Sequence, residues 1–168
     1  MMPDSSVVLR PSTDESGIID TDLYSDGRYG DLLMQPGGGT LRPATHETVD
    51  QGLHFAKMKG NEVFKVAVRM FGDCAERILK NNGFTAADLD LFVPHQANLR
   101  IIEAAVKRLK VPMERVMINV DRYGNTGAAS VYVALEEAWT SKRLNPGDLV
   151  LMAAFGGGFT WGAALLRW

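Results

Sequence analysis

The chain has 168 residues and one cysteine, Cys74, so it can build neither an intrachain disulfide nor a cysteine-rich metal site. Its three histidines, His46, His54 and His95, stand at no chelating spacing, and there is no His-x-x-x-His pair, so no metal is expected. It also lacks an excess of basic charge. Eighteen Lys and Arg against 20 Asp and Glu give a net charge of −2, which sets up no global field for nucleic acid. No run of about 18 apolar residues exists to span a membrane. The opening stretch MMPDSSVVLRPSTDESG has no basic segment followed by an apolar core and does not read as a signal peptide. These absences point to the cytoplasm. The glycine run Gly37-Gly38-Gly39 lacks the lysine and Ser/Thr of a phosphate-binding loop, and no helical pattern follows it, so it reads as flexible loop.

What is present is ordinary for a globular protein. Hydrophobic residues make up 46% and charged residues 23%, and a chain of this size forms one domain able to bury about 70% of its unfolded surface. The pattern predicts a strand over 5–10, a second strand from Gly17 to Tyr24 with Asp26-Gly27 as a turn, and loop-rich chain from Gly30 to Asp50. Val63, Ala67, Met70, Phe71, Cys74, Ile78 and Leu79 recur at helical spacing, which predicts a long helix from Asn61 to Asn81, ended by Asn82-Gly83. Cys74 falls in its apolar stripe and reads as an inert small hydrophobe.

The centre of the chain is FVPHQANLR, Phe92 to Arg100. Leu89 to Val93 reads as a short buried strand stopped by Pro94. His95, Gln96, Ala97 and Asn98 follow, and then a helix to about Lys110, with Leu99, Ile102, Val106 and Leu109 as its buried stripe. The plan repeats in a strand over Val116 to Val120, a turn over Asp121 to Gly127 that holds Asn125, and a helix from Ala128 to Trp139. The tail is a hairpin, 149–154 and 159–166, about the turn Phe155-Gly156-Gly157-Gly158. The order of elements says α/β.

A residue at the C-terminal end of a strand, just before a helix, sits where open α/β sheets place their ligands. His95 and Asn125 both occupy such turns. Converging, they could donate two hydrogen bonds to one developing oxyanion, with a backbone donor from the glycine turn; standing apart, each would be structural. The basic residues Arg100, Glu103's neighbours Lys107 and Arg108, and Lys110 read either as a solvated helix face or as a docking surface for an acidic partner.

Four segments resemble one family. GNEVFKVAV (Gly60 to Val68), VPHQANLRII (Val93 to Ile102), GNTGAASV (Gly124 to Val131) and FGGGFTWG (Phe155 to Gly162) are similar, in this order, to the C-terminal half of β-ketoacyl-acyl-carrier-protein synthase III. GIIDTDLYSDGRYGDLL, 17–33, is similar to that family's mid-chain. The resemblance implies one half of a thiolase-like fold, a mixed five-stranded sheet with flanking helices, in a body that dimerises as a homodimer. It implies that 1–59 are the end of the N-terminal half and a crossover loop, and 60–168 the C-terminal condensing domain. It puts catalysis on His95 and Asn125, an oxyanion donor at Gly156, and Phe155 near the acyl pocket. It puts Asn61, Phe64 and Asn98 along the pantetheine channel of coenzyme A. Lys65, Gln96, Ala97, Asn98, Leu99, Arg100, Lys107 and Arg108 match the face that binds acyl carrier protein.

The implied reaction condenses acetyl-CoA with malonyl-acyl-carrier protein, with loss of carbon dioxide and no cofactor. The family's nucleophilic cysteine belongs to the N-terminal half, which is missing here, and Cys74 does not match it. The 168 residues are therefore expected to be incomplete as an acyltransferase. A non-catalytic carrier-binding module, or a related enzyme with another starter acyl group, stand as alternatives.

Overall fold

The computed structural model describes residues 6–168. In chain order it contains β1 (Gly17–Ser25), β2 (Leu33–Met34), α1 (His46–Asp50), β3 (Lys57–Met58), α2 (Gly60–Asn81), β4 (Leu91–Pro94), α3 (Leu99–Leu109), α4 (Val120–Tyr123), α5 (Ala129–Thr140), β5 (Leu149–Gly156) and β6 (Thr160–Arg167). The main sheet runs β1-β6-β5-β4. It is mixed, because β4 is parallel to β5 while β6 is antiparallel to both of its neighbours.

Alternation along the strands explains why helices cover both faces. Phe92, Leu149, Leu151, Ala153, Ala163 and Leu165 point into a core shared with Phe71, Cys74, Ile78, Ile102, Val106 and Leu109 of α2 and α3. Leu91, Val93, Val150 and Leu166 point the other way, onto Val131, Ala134, Leu135 and Ala138 of α5. Both sides of the central strands are apolar, as a sheet buried on two faces requires. α2 buries the whole stripe read from its spacing, and Gly83, at φ 75°, closes it with bonds from Gly83 N to Lys80 O and Phe84 N to Leu79 O.

The structure corrects several expectations. Residues 6–10 form no strand and are exposed, and Ser5 lies outside the described residues. The segment expected as a strand over 116–120 touches the sheet by one parallel bridge, Val116 to Phe92, and one bond, Met117 N to Phe92 O at 2.8 Å. It holds the fifth place beside β4 without becoming a strand, and Val120 already starts α4. Leu99 is 44% exposed; Ile101 and Ala105 bury the side of α3 it was expected to share. The loop over 30–50 carries α1, held by reciprocal Thr45 and Thr48 caps. The boundary placed between 59 and 60 does not divide the sheet: β1 pairs with β6 from Gly17 opposite Arg167 to Ser25 opposite Thr160, so 17–25 belong to the same body as 60–168. No helix among the described residues is long and apolar enough to cross a membrane.

Candidate functional site

β4 ends at Pro94, and the His95 N–H extends the ladder by one bond to Ala153 O, 2.8 Å away. That bond fixes the histidine at the carboxyl end of the sheet. The ring is buried, 8% exposed, and lies edge-on to Phe155 with centroids 5.9 Å apart. Desolvation pushes its pKa below the ordinary imidazole range, so the ring is neutral at pH 7. Nδ1 lies 2.6 Å from Ser130 Oγ near the start of α5. No hydrogen bond involves Nε2 among the described residues.

Asn125 is exposed in the turn before α5. Its Oδ1 accepts from Gly127 N at 3.0 Å. A backbone N–H can only donate, so the amide oxygen is engaged, and the NH₂ is left as a donor with no hydrogen-bond partner among the described residues. Gly127 O in turn accepts from Ser130 N at 3.2 Å. A continuous hydrogen-bonded path thus runs from His95 through Ser130 and Gly127 to Asn125. The two strand-to-helix turns are tied to one residue.

A second tie is Gln96, which is fully buried. Its Nε2 donates to Pro94 O at 2.8 Å and Met117 O at 3.1 Å. Its Oε1 accepts from Asn119 N at 2.9 Å and Val120 N at 3.2 Å. All four partners are backbone groups of the two segments that lead into the His95 and Asn125 turns. The side chain is therefore not on the surface, where a carrier-binding residue was expected. Asn119 continues the network to Glu137, which also pairs with Arg122.

Around the histidine, Phe155 packs edge-on against Phe71 at 5.7 Å and near Phe159 at 6.4 Å, forming an aromatic wall. Gly156 ends β5 opposite Thr160. Asn61, Phe64 and Lys65 lie in the first turns of α2. The Arg100 guanidinium lies 5.7 Å from the Phe64 ring centroid, which brings that end of α2 to the start of α3. Asn98 is the α3 N-cap, accepting from Ile101 N at 2.9 Å. Ala97 N donates to His95 O at 2.9 Å.

The basic residues divide into two sets. Arg108 pairs with Asp73, reaches Glu76 at 3.9 Å and lies against Gly72, so its charge is engaged at the surface by carboxylates of α2. Lys65, Arg100 and Lys107 are exposed and make no ion pair among the described residues. Cys74 is 1% exposed and burial pushes its thiol up to about 11, which leaves almost no thiolate at pH 7. No group of three or more His, Cys, Asp or Glu that could hold a metal occurs among the described residues.

Ser130 went unnoticed in the sequence. The signal was there: Ser130, Ala134 and Ala138 are small residues four apart, the mark of a helix face packed closely on a sheet.

A mixed sheet between helices, with a histidine and an asparagine tied together at its carboxyl end, is one half of a thiolase-like fold. The model of the 3-oxoacyl-[acyl-carrier-protein] synthase III C-terminal region matches residues 79–168, and the chain belongs to this family. It is 50% identical over 163 residues to the β-ketoacyl-[acyl-carrier-protein] synthase III of Desulfitobacterium hafniense (strain DSM 10664 / DCB-2), covering 97% of this chain and 49% of that protein. Among solved structures, the synthase III of Aquifex aeolicus VF5 superposes with a TM-score of 0.81 at 40% identity, over 94% of this chain and 46% of that one. That of Pseudomonas aeruginosa PAO1 gives 0.82 at 37% identity, over 95% and 47%. The chain spans about half the length of the curated relatives it matches.

Proposed function

We propose that this chain supplies the decarboxylation half of a β-ketoacyl-acyl-carrier-protein synthase III site, which condenses acetyl-CoA with malonyl-acyl-carrier protein to begin fatty acid synthesis. The observation that carries this reading is the hydrogen-bonded path His95–Ser130–Gly127–Asn125. It holds a neutral imidazole and a carboxamide with its NH₂ unengaged in one unit.

The malonyl thioester oxygen would accept from His95 and Asn125. The bond to the carboxylate carbon then breaks, carbon dioxide leaves, and the electron pair enters the enolate those two donors stabilise. Donors aimed at such a charge in a dry site are each worth about 3–4 kcal/mol. The enolate carbon attacks an acyl thioester carried on a cysteine, and the cysteine thiolate departs. Cys74, buried and with a raised pKa, cannot be that cysteine, so the nucleophile comes from outside these 168 residues. Phe155 would face the acyl group, Gly156 would give the backbone oxyanion donor, and Asn61, Phe64 and Asn98 would line the pantetheine path. CoA enters as a substrate, and no cofactor takes part. Lys65, Arg100, Lys107 and the backbone about Ala97 to Leu99 form the face offered to acidic acyl carrier protein, with Arg108 bracing it. The complete body is a cytoplasmic homodimer.

The test is decarboxylation of a malonyl thioester by the chain together with a separately expressed cysteine-bearing half. His95→Ala and Asn125→Ala should each lower decarboxylation about a hundredfold or more while acylation of the partner's cysteine persists. Equal loss of both steps would mean the two residues are structural and would sink the proposal.

A further inference from the structure

We propose that Ser130 is a positioning residue: its hydroxyl donates to His95 Nδ1 and so fixes the imidazole as the tautomer protonated on Nε2. The inference rests on the functional reading above, in which Nε2–H must meet the thioester oxygen. It concerns a residue outside the histidine–asparagine pair.

The argument is proton bookkeeping about one oxygen. Ser130 is 2% exposed, and its Oγ lies 2.6 Å from His95 Nδ1 and 3.2 Å from Gln96 N. A hydroxyl has one proton to give and two lone pairs. The Gln96 N–H can only donate, so it takes a lone pair. Among the described residues no other acceptor lies within reach of Oγ besides Nδ1. Were Nδ1 protonated, Oγ would accept twice and its own proton would be buried without a partner, which is costly away from water. With Nδ1 as the acceptor, every group is satisfied, and the ring's one proton must sit on Nε2. The neutral ring that this arrangement needs is the form burial favours.

The same residue also acts on the second donor. Ser130 N–H holds Gly127 O, and Gly127 N–H holds Asn125 Oδ1. One serine at the start of α5 therefore sets the proton position on the histidine and anchors the turn that engages the asparagine's amide oxygen and leaves its NH₂ as the donor.

The test is a long-range ¹H–¹⁵N correlation spectrum of the histidine rings in the full chain, which reports the tautomer without substrate. His46 and His54, both exposed, serve as references. His95 should show protonated Nε2 and bare Nδ1. Ser130→Ala should bring in the other tautomer, and Ser130→Thr, which keeps the hydroxyl, should restore the first. A protonated Nδ1 in the unmutated chain, or an unchanged His95 pattern in Ser130→Ala, would overturn the proposal. Should Ser130→Ala fail to fold, the unmutated chain still decides, through a slowly exchanging Ser130 hydroxyl proton coupled to Nδ1. In the assembled decarboxylation assay, Ser130→Ala should lower kcat about tenfold or more at unchanged KM, with recovery in Ser130→Thr. An inactive assembly that shows the Nε2–H pattern would defeat the functional reading and leave the tautomer assignment standing; an active one with protonated Nδ1 would do the reverse.

Discussion

Gln96 shows how far a residue's role depends on where its side chain is spent. It stands in the motif that suggests carrier recognition, yet its amide contacts four backbone groups and no solvent. Gln96→Met keeps the volume and removes every one of those bonds. Each buried group left unpaired costs about 1–3 kcal/mol, so the urea midpoint should fall sharply, and decarboxylation with it. A recognition residue on the surface would leave the midpoint unmoved. His95 and Asn125 were legible as candidates because a strand, a stop and a polar residue before a helix form a local pattern. Cys74 was legible as inert because its spacing put it on a buried stripe. The burial of Gln96 was not legible, since it is decided by two segments more than 20 positions apart meeting around it. For Ser130 the small-residue spacing with Ala134 and Ala138 marked a packed helix face, but its meeting with His95, 35 positions away, left no local trace.

Among the elements, those with strong local periodicity matched the structure closely, and two expected strands did not form. Residues 6–10 carry Val7, Val8 and Leu9, all exposed; β-branched composition makes a strand only when a neighbouring edge accepts it. At 118–120 the competing partner is a side chain. Gln96 Oε1 takes the N–H groups of Asn119 and Val120, so the ladder stops and the chain turns into α4. The hairpin from β5 to β6 held because its alternation suits both faces of the sheet. Its pairing with β1 depends on Gly162: a Cβ there would stand 2.7 Å from Leu23 Cδ2 and 2.8 Å from Asp22 O. Since one of those atoms is backbone, the strand itself must move. Gly162→Ala should cost about 1–3 kcal/mol and speed amide exchange in 18–24 while α5 keeps its protection. Unchanged exchange in β1 would contradict the close approach.

For the whole molecule, the boundary suggested by the sequence fell in a loop and looked natural. The pairing of β1 with β6 crosses it, and strand pairing between distant segments leaves no local trace. A chain reduced to 60–168 would lose β1 and bare the β6 edge, so it should unfold without a cooperative transition or aggregate, as judged by thermal circular dichroism and size-exclusion chromatography. A sharp transition and a monodisperse peak would show that β1 is dispensable.

The pairing of β1 with β6 also has a consequence for biosynthesis. Roughly 140 positions separate the paired residues, and a ribosome adds about 5–20 residues per second. For on the order of ten seconds, then, the nascent β1 waits with the backbone N–H and C=O groups that β6 will pair left to water. β1 becomes a strand of this sheet only once β6, made long after it, lies alongside.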